Sequence, residues 1–182
     1  MRDGELVEVV EIEAPDGYGH VLFGGLDALL TRHQLRVADI AVFAAACGPG
    51  SFTGLRVALA AVKGLAEAGS KRAVGVSNLQ ALAWYGTSEI RAPYLDARRA
   101  QIYCGLYDAH LRSLAEEAVA SFDLWRGQLP DGAELITAEK SLAPAVAAIA
   151  HQRLLAGEWQ DPAAIEANYV RRADAEMKWK DN

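Results

Sequence analysis

The chain is short of the residues that build metal centres and disulfide frameworks. Its 182 residues include only two cysteines, Cys47 and Cys104, far apart and in no ligand spacing, which excludes a disulfide scaffold and a thiolate metal site. Each lies in an apolar stretch, so both are expected to be buried, inert thiols. Its four histidines, His20, His33, His110 and His151, form no close pair, and no His-Glu-x-x-His occurs; no metal is expected. Basic residues are also scarce, 18 Lys and Arg against 24 Asp and Glu for a net charge of −6. An acidic chain cannot bind a nucleic-acid backbone broadly by itself, because Lys and Arg must displace the counterions there. No long apolar run and no basic leader with an apolar centre is present, which excludes a membrane-spanning helix and gives a cytoplasmic reading.

What the chain does have is enough apolar content to fold. Hydrophobic residues make up 52% and charged residues 23%, a globular composition with length for one good core or two small ones. The focal stretch is Gly48-Pro49-Gly50-Ser51-Phe52-Thr53-Gly54-Leu55. It follows the continuous apolar run 40–46, which suits a strand covered on both faces, and precedes the Ala- and Leu-rich run 55–68, which reads as helix. Ser51 or Thr53 can cap that helix. A glycine loop opening onto a helix N-terminus is a general anion site, since free N–H groups and the helix dipole point the same way. Gly48, Gly50, Ser51, Thr53 and Gly54 are its candidate residues. The spacing fits neither the dinucleotide fingerprint nor a P-loop, and a ligand-free tight turn is an equal reading. Ser51 sits where a nucleophile elbow would place it, but the Gly-x-Ser-x-Gly frame fails and no His or acid partner is identifiable; capping is the better reading.

Taken in order, residues 5–13 alternate as a strand with one wetted face, preceded by Asp3-Gly4, a hairpin-turn signal that has no strand before it. Residues 20–34 read as an amphipathic helix with Leu22, Leu26, Leu29 and Leu30 at helical spacing. Strand 72–76, an N-cap at Ser77 and helix 78–84 follow, giving β, α, β, α, β, α. Near residue 91 the pattern restarts with strands at 92–95, 101–107 and 114–120, helix 122–128, strand 133–137 and helix 142–155. Asp161-Pro162 is expected to cap a last short helix. The boundary is set at residues 1–91 and 92–182. Asp96, at a strand end, is a further anion-site candidate, although an Asp stabilising its own turn reads as well.

The apolar residues of 54–68 cover most of that helix, leaving Arg56, Lys63 and Glu67 as a narrow polar strip. Such a helix needs cover on two sides. Leu22, Leu26 and Leu29 of the first helix, with Leu55, Leu59, Val62 and Leu65 of this one, are therefore expected to face a second polypeptide as a helix bundle, with packing inside the chain as the alternative.

As a whole string, GPGSFTGLRVALAAVKGLA closely resembles the signature of the TsaB (YeaZ) family, bacterial proteins needed to make threonylcarbamoyladenosine beside the anticodon of tRNA. Residues 75–83, 95–103 and the tail 167–176 resemble further anchors of the family, so the resemblance covers most of the chain. It implies an α/β actin-like ATPase (ribonuclease H-like) fold of two similar subdomains, mixed sheets flanked by helices. In the family a strand precedes the Asp3-Gly4 turn and lies at the centre of the first sheet. That strand is absent here, so the start is expected to be internal to a longer chain, or the slot to be filled by another segment. The resemblance further implies a non-catalytic scaffold that dimerises with a TsaD-type transferase, joined by a TsaE-type ATPase, with a homodimer as the alternative. tRNA would be met only through that complex, and ATP or ADP binding would be weak or vestigial. An ATP-dependent phosphotransferase of the same fold, and less so a peptidase, are the alternatives.

Overall fold

A computed structural model describes residues 1–15, 17–137 and 141–170. Its contacts divide the chain into two units. The first comprises Met1–Cys47, Ser51–Val76 and Ala143–Glu166; the second comprises Gly48–Gly50, Ser77–Leu142 and Ala167–Asn182.

The first unit is built on a parallel pair of strands. β1 (Val42–Ala46) aligns with β2 (Arg72–Val76) from Val42 opposite Arg72 to Ala46 opposite Val76. Parallel neighbours need a crossover, supplied here by α2 (Phe52–Ala68). Leu55, Leu59, Ala61, Val62 and Ala66 of α2 are buried. α5 (Ala143–Ala156) buries Ala145, Val146, Ile149 and Ala150. Both helices pack on β1 and scarcely touch one another, which puts them on its two faces. The free edge of β2 is closed by Gln160. Its backbone bridges Ala73, its side-chain oxygen accepts from the Gly75 N–H at 3.0 Å, and Arg153 donates to the Gly75 carbonyl at 2.7 Å.

α1 (Leu22–Arg32) also belongs to this unit, and no residue of it is buried. Residues 5–13, expected as a strand, form none beyond an isolated bridge of Glu5 to Arg2. The turn signal itself is realised: Arg2 and Glu5 exchange both backbone hydrogen bonds around Asp3 and Gly4, each at positive φ. A strand, however, exists only through a neighbour, and among the described residues none pairs with this segment. It is instead held to α1, where Glu8 accepts from Arg32 at 2.6 Å and pairs with His33 at 2.7 Å, and Ile12 lies against Gly25.

The second unit is a four-stranded mixed sheet in the order β5-β4-β3-β6. β3 (Ile90–Asp96), β4 (Ile102–Asp108) and β5 (Ser113–Ala120) form an antiparallel meander, and β6 (Glu134–Ile136) adds parallel to β3. α3 (Asn78–Ala83) packs on β3 and β4 through Leu79, Ala81, Leu82 and Ala83, all buried. The short α4 (Phe122–Arg126) sets Phe122 and Trp125 against Tyr94.

A cut between residues 91 and 92 differs from this grouping at two helices. α3 lies before the cut but packs on β3 and β4, and α5 lies after it but packs on β1 and β2. The remaining elements stand within a few residues of their expected limits. The expected pair of buried thiols is corrected in one member: Cys104 is buried and Cys47 only partly so. Burial raises the Cys104 thiol above its ordinary range, with lesser effects from the Ala118 carbonyl and Glu117.

Two predictions follow from this packing. Leu79 is wholly enclosed, so Leu79→Ala is expected to lower unfolding stability by about 2–4 kcal/mol in urea denaturation. Glu134 accepts the Ser88 and Thr87 N–H groups at 2.8 and 2.7 Å, and the Ser88 bond is the main cause of its lowered carboxyl pKa. A lowered folded-state pKa means stability that is present above the ordinary glutamate range and lost as pH falls through the folded value. Glu134→Gln is therefore expected to cost about 1–2 kcal/mol near neutrality and to flatten the acid limb of stability against pH.

Candidate functional site

The Gly-Pro-Gly-Ser stretch is held by hydrogen bonds to its own backbone groups and to one asparagine. Cys47 N–H donates to the Val76 carbonyl, extending the β1–β2 ladder by one bond. Gly48 then turns at φ 111°, in the left-handed region that favours glycine, and the Gly48–Pro49 bond is cis. Asn78 fixes this turn from both sides: Gly48 N–H donates to Asn78 Oδ1 at 2.9 Å, and Asn78 N–H donates to the Gly48 carbonyl at 2.7 Å. A Cβ at Gly50 would lie 3.2 Å from Asn78 Nδ2, so the close approach leaves little room there for a side chain.

α2 begins three residues before the predicted 55, at Phe52, with Ser51 as its N-cap. Ser51 Oγ accepts from Gly54 N–H at 3.3 Å, and the Ser51 carbonyl accepts from Leu55 N–H at 2.9 Å. The hydroxyl is therefore a cap. Ser51, Phe52 and Thr53 are exposed, and the Arg56 guanidinium lies 3.7 Å from the centre of the Phe52 ring. The first turn of α2 thus presents backbone N–H groups with a cation beside them, chemistry that suits an anion. Gly48 and Gly50 group with the second unit, and Ser51, Thr53 and Gly54 with the first.

Asp96 ends β3, exposed, and accepts from Arg98 N–H at 2.8 Å. This is the turn-stabilising geometry of an Asx residue. The turn continues through Arg98, Arg99 and Ala100 at φ 64°, 54° and 57°, a left-handed run in residues that carry side chains, at a conformational cost. Among the described residues, no group of three or more His, Cys, Asp or Glu is placed to hold a metal ion.

The seven expected interface residues divide between exposed and enclosed positions. Leu22, Leu26, Leu29 and Leu65 are half-buried, whereas Leu55, Leu59 and Val62 lie in the core of the first unit. The apolar circumference of α2 is used by its own β1 and β2, which corrects the expectation that those three face a partner. The outward strip of α2 is Arg56, Ala60, Gly64 and Glu67.

One polar cluster escaped the sequence reading. Glu117 on β5 accepts from Ser77 Oγ, from Tyr107 OH and, at 2.5 Å, from Asn168 Nδ2. Ser77 also caps α3 by accepting from Leu79 and Gln80 N–H. Ser77 was legible as a cap. Glu117 was not, since its partners are 10, 40 and 51 residues away.

Comparison with known proteins matches residues 19–158 to the family model described as TsaD, tRNA N6-adenosine threonylcarbamoyltransferase. The chain belongs to this family, in its TsaB (YeaZ) branch. A TsaB tRNA threonylcarbamoyladenosine biosynthesis protein of Bacillus subtilis is 35% identical over 94 residues, 50% of this chain and 41% of the relative. The Escherichia coli protein of the same description is 30% identical over 138 residues, 72% of this chain and 50% of the relative. An uncharacterized protein of Mycobacterium tuberculosis is 28% identical over 190 residues, 96% of this chain and 86% of the relative. Among solved structures, YeaZ from Pseudomonas aeruginosa superimposes with a TM-score of 0.77 at 23% identity, covering 93% of this chain and 91% of that one. The fold is accordingly the two-unit α/β fold of the actin-like ATPases. No helix among the described residues is long and apolar enough to cross a membrane.

Asn78→Ala removes the side-chain acceptor of Gly48 N–H. Hydrogen exchange at the Gly48 amide is expected to rise by about tenfold, with a stability loss of about 1–2 kcal/mol.

Proposed function

We propose that this TsaB-type chain is a non-catalytic subunit in threonylcarbamoyladenosine formation on tRNA, and that it acts by docking on a TsaD-type transferase through α1. The observation that carries this reading is the state of α1. It is an 11-residue helix with Leu22, Leu26, Leu29 and Leu30 on one side, none of them buried, and with Phe23 56% exposed. An amphipathic helix left this open on a small unit is a docking surface in want of cover. The outward strip of α2, with Ala60 and Gly64, is shallow enough for a partner helix to approach closely.

Two facts support the absence of chemistry of its own. Ser51 Oγ is engaged as a helix cap, and Asp96 is engaged in its own turn. The acidic net charge of −6 supports contact with tRNA through the complex rather than by this chain alone. Any ATP or ADP binding at the α2 N-terminus is weak in this reading, and a TsaE-type ATPase is a further member of the assembly.

Mass measurement in solution tests the proposal. The chain is mixed with a TsaD-type transferase, and a 1:1 complex is expected. Phe23→Asp, at a side chain already open to water, is expected to weaken that complex by tenfold or more, about 1.4 kcal/mol, without lowering unfolding stability. A chain that stays monomeric alone and in the mixture would overturn the proposal, and so would modification activity by the chain without the transferase.

A further inference from the structure

The ladder between β4 and β5 slips by one residue. Two steps of β4, from Cys104 to Leu106, stand opposite three steps of β5, from Ala118 to Ala115. A bulge of this kind bends its strand and re-aims the side chains beside it. Here it lies at two neighbouring glutamates with unlike surroundings. Glu117 accepts from Ser77, Tyr107 and Asn168. Glu116 borders a slot instead. It is exposed, and its carboxylate has no hydrogen bond or ion pair among the described residues.

The slot has a volume of about 200 Å³ and lies wholly within the second unit. Leu106 of β4, Ala118 of β5, Trp125 of α4, and Leu129 and Pro130 after it give apolar walls. Gln128 joins Glu116 as a polar side chain of the lining, and the Cys104 thiol is already engaged with the Ala118 carbonyl. The Glu116 carboxylate, the Gln128 amide and the Trp125 indole N–H have no hydrogen-bond partner among the described residues. Small-molecule pockets begin at roughly 300 Å³, so a slot of this size suits one side chain better than a cofactor.

We propose that this slot receives one arginine side chain from a basic segment of a partner protein. The guanidinium plane stacks on Trp125, its forked N–H groups donate to Glu116 and to the Gln128 side-chain oxygen, and its aliphatic stem lies along the apolar walls. Charge selects the occupant. The one charged side chain lining the slot is a glutamate, and the whole chain carries −6, so a cationic side chain is attracted and an acidic one repelled. Lysine fits less closely, because its ammonium is a point charge that neither stacks flat nor spans two acceptors. An aliphatic side chain fills the walls but leaves Glu116 unpaired at the contact. This inference does not rest on the transferase proposal, which concerns α1 in the first unit.

Nuclear magnetic resonance of the intact chain tests the proposal. The peptide acetyl-Gly-Ser-Arg-Ser-Gly-amide is added at millimolar concentration, the range one anchored side chain can reach. The Trp125 indole N–H and the Leu106 and Ala118 amides are followed, and saturable shifts that weaken with added salt are expected. The same peptide with citrulline for arginine keeps the shape and loses the charge; it is expected to bind about tenfold more weakly or worse. Glu116→Gln is expected to weaken the arginine peptide as much and to leave unfolding stability unchanged, since the side chain is exposed and unpartnered. Four results would overturn the proposal. The first is no saturable shift at Trp125. The second is equal binding of the citrulline peptide or by the Glu116→Gln chain. The third is binding that appears only once Arg171 and Arg172 are replaced by alanine, so that the chain's own tail holds the slot. The fourth is a shift at Trp125 that grows with protein concentration alone, so that a second copy occupies it.

Discussion

Parallel pairing of Val42–Ala46 with Arg72–Val76 is the constraint from which the first unit and its exits follow. Two parallel strands cannot be joined by a tight turn, so the chain must cross back over the sheet, and α2 is that crossing. Parallel strands also release the chain at the same end. β1 ends into Gly48 and β2 ends into Ser77 and Asn78, and this common end explains why Asn78 can hold the Gly48 amide and carbonyl at once. The left-handed Gly48, the closeness of Gly50 to Asn78 and the cap at Ser51 are consequences of turning a chain from strand to helix within four residues. The octet is conspicuous in the sequence because this turn demands glycine at Gly48 and a capping hydroxyl at Ser51 together, before any ligand is considered.

The two helices of the first unit that the sequence treats alike have unlike roles. α2 is apolar nearly all round because it lies on both strands of its sheet, so Leu55, Leu59 and Val62 are core. α1 has the narrower stripe, yet it carries the open surface. Its main neighbour on that side is the segment 6–13, which meets it through Glu8, with Arg32 and His33, and through Ile12 at Gly25. A single extended segment covers less of a helix than a sheet does, and Leu22, Leu26 and Leu29 stay half-buried as a result. Apolar content measures how much cover a helix needs and not who supplies it.

Local signals were legible throughout. The 3.6-residue period marked α1 and α2, the capping serines marked the starts of α2 and α3, and Asp161 caps its short turn by accepting from Ala163 N–H. Signals that depend on a distant partner were not. Residues 6–13 have the alternation and the β-branched content of a strand, and even the turn before them forms, but a ladder needs a neighbour that sequence alternation cannot provide. α5 is built of small, evenly distributed apolar residues, so nothing in it shows which strands it will cover; it joins β1, which starts 101 positions before it at Val42, and β2, which starts 71 before it at Arg72. Glu117 carries no local signal at all, since its partners Ser77, Tyr107 and Asn168 reach it only in the fold.

Polar side chains near the strand ends could in principle serve chemistry or architecture, and their hydrogen bonds separate the two. Ser51 accepts from a helix N–H, Asn78 accepts from Gly48, Asp96 accepts from its own turn, and Glu134 accepts from two N–H groups ahead of β3. Each stabilises a backbone group that would otherwise stand unpaired where a regular element begins or ends. A hydroxyl or carboxylate held this way is a poor nucleophile or base, since releasing it for chemistry forfeits the turn it supports. What the turns leave incompletely covered is the apolar side of α1. The capping polar groups hold their own backbone and the apolar side of α1 stays incompletely covered, and this contrast is the physical ground of the proposed docking role.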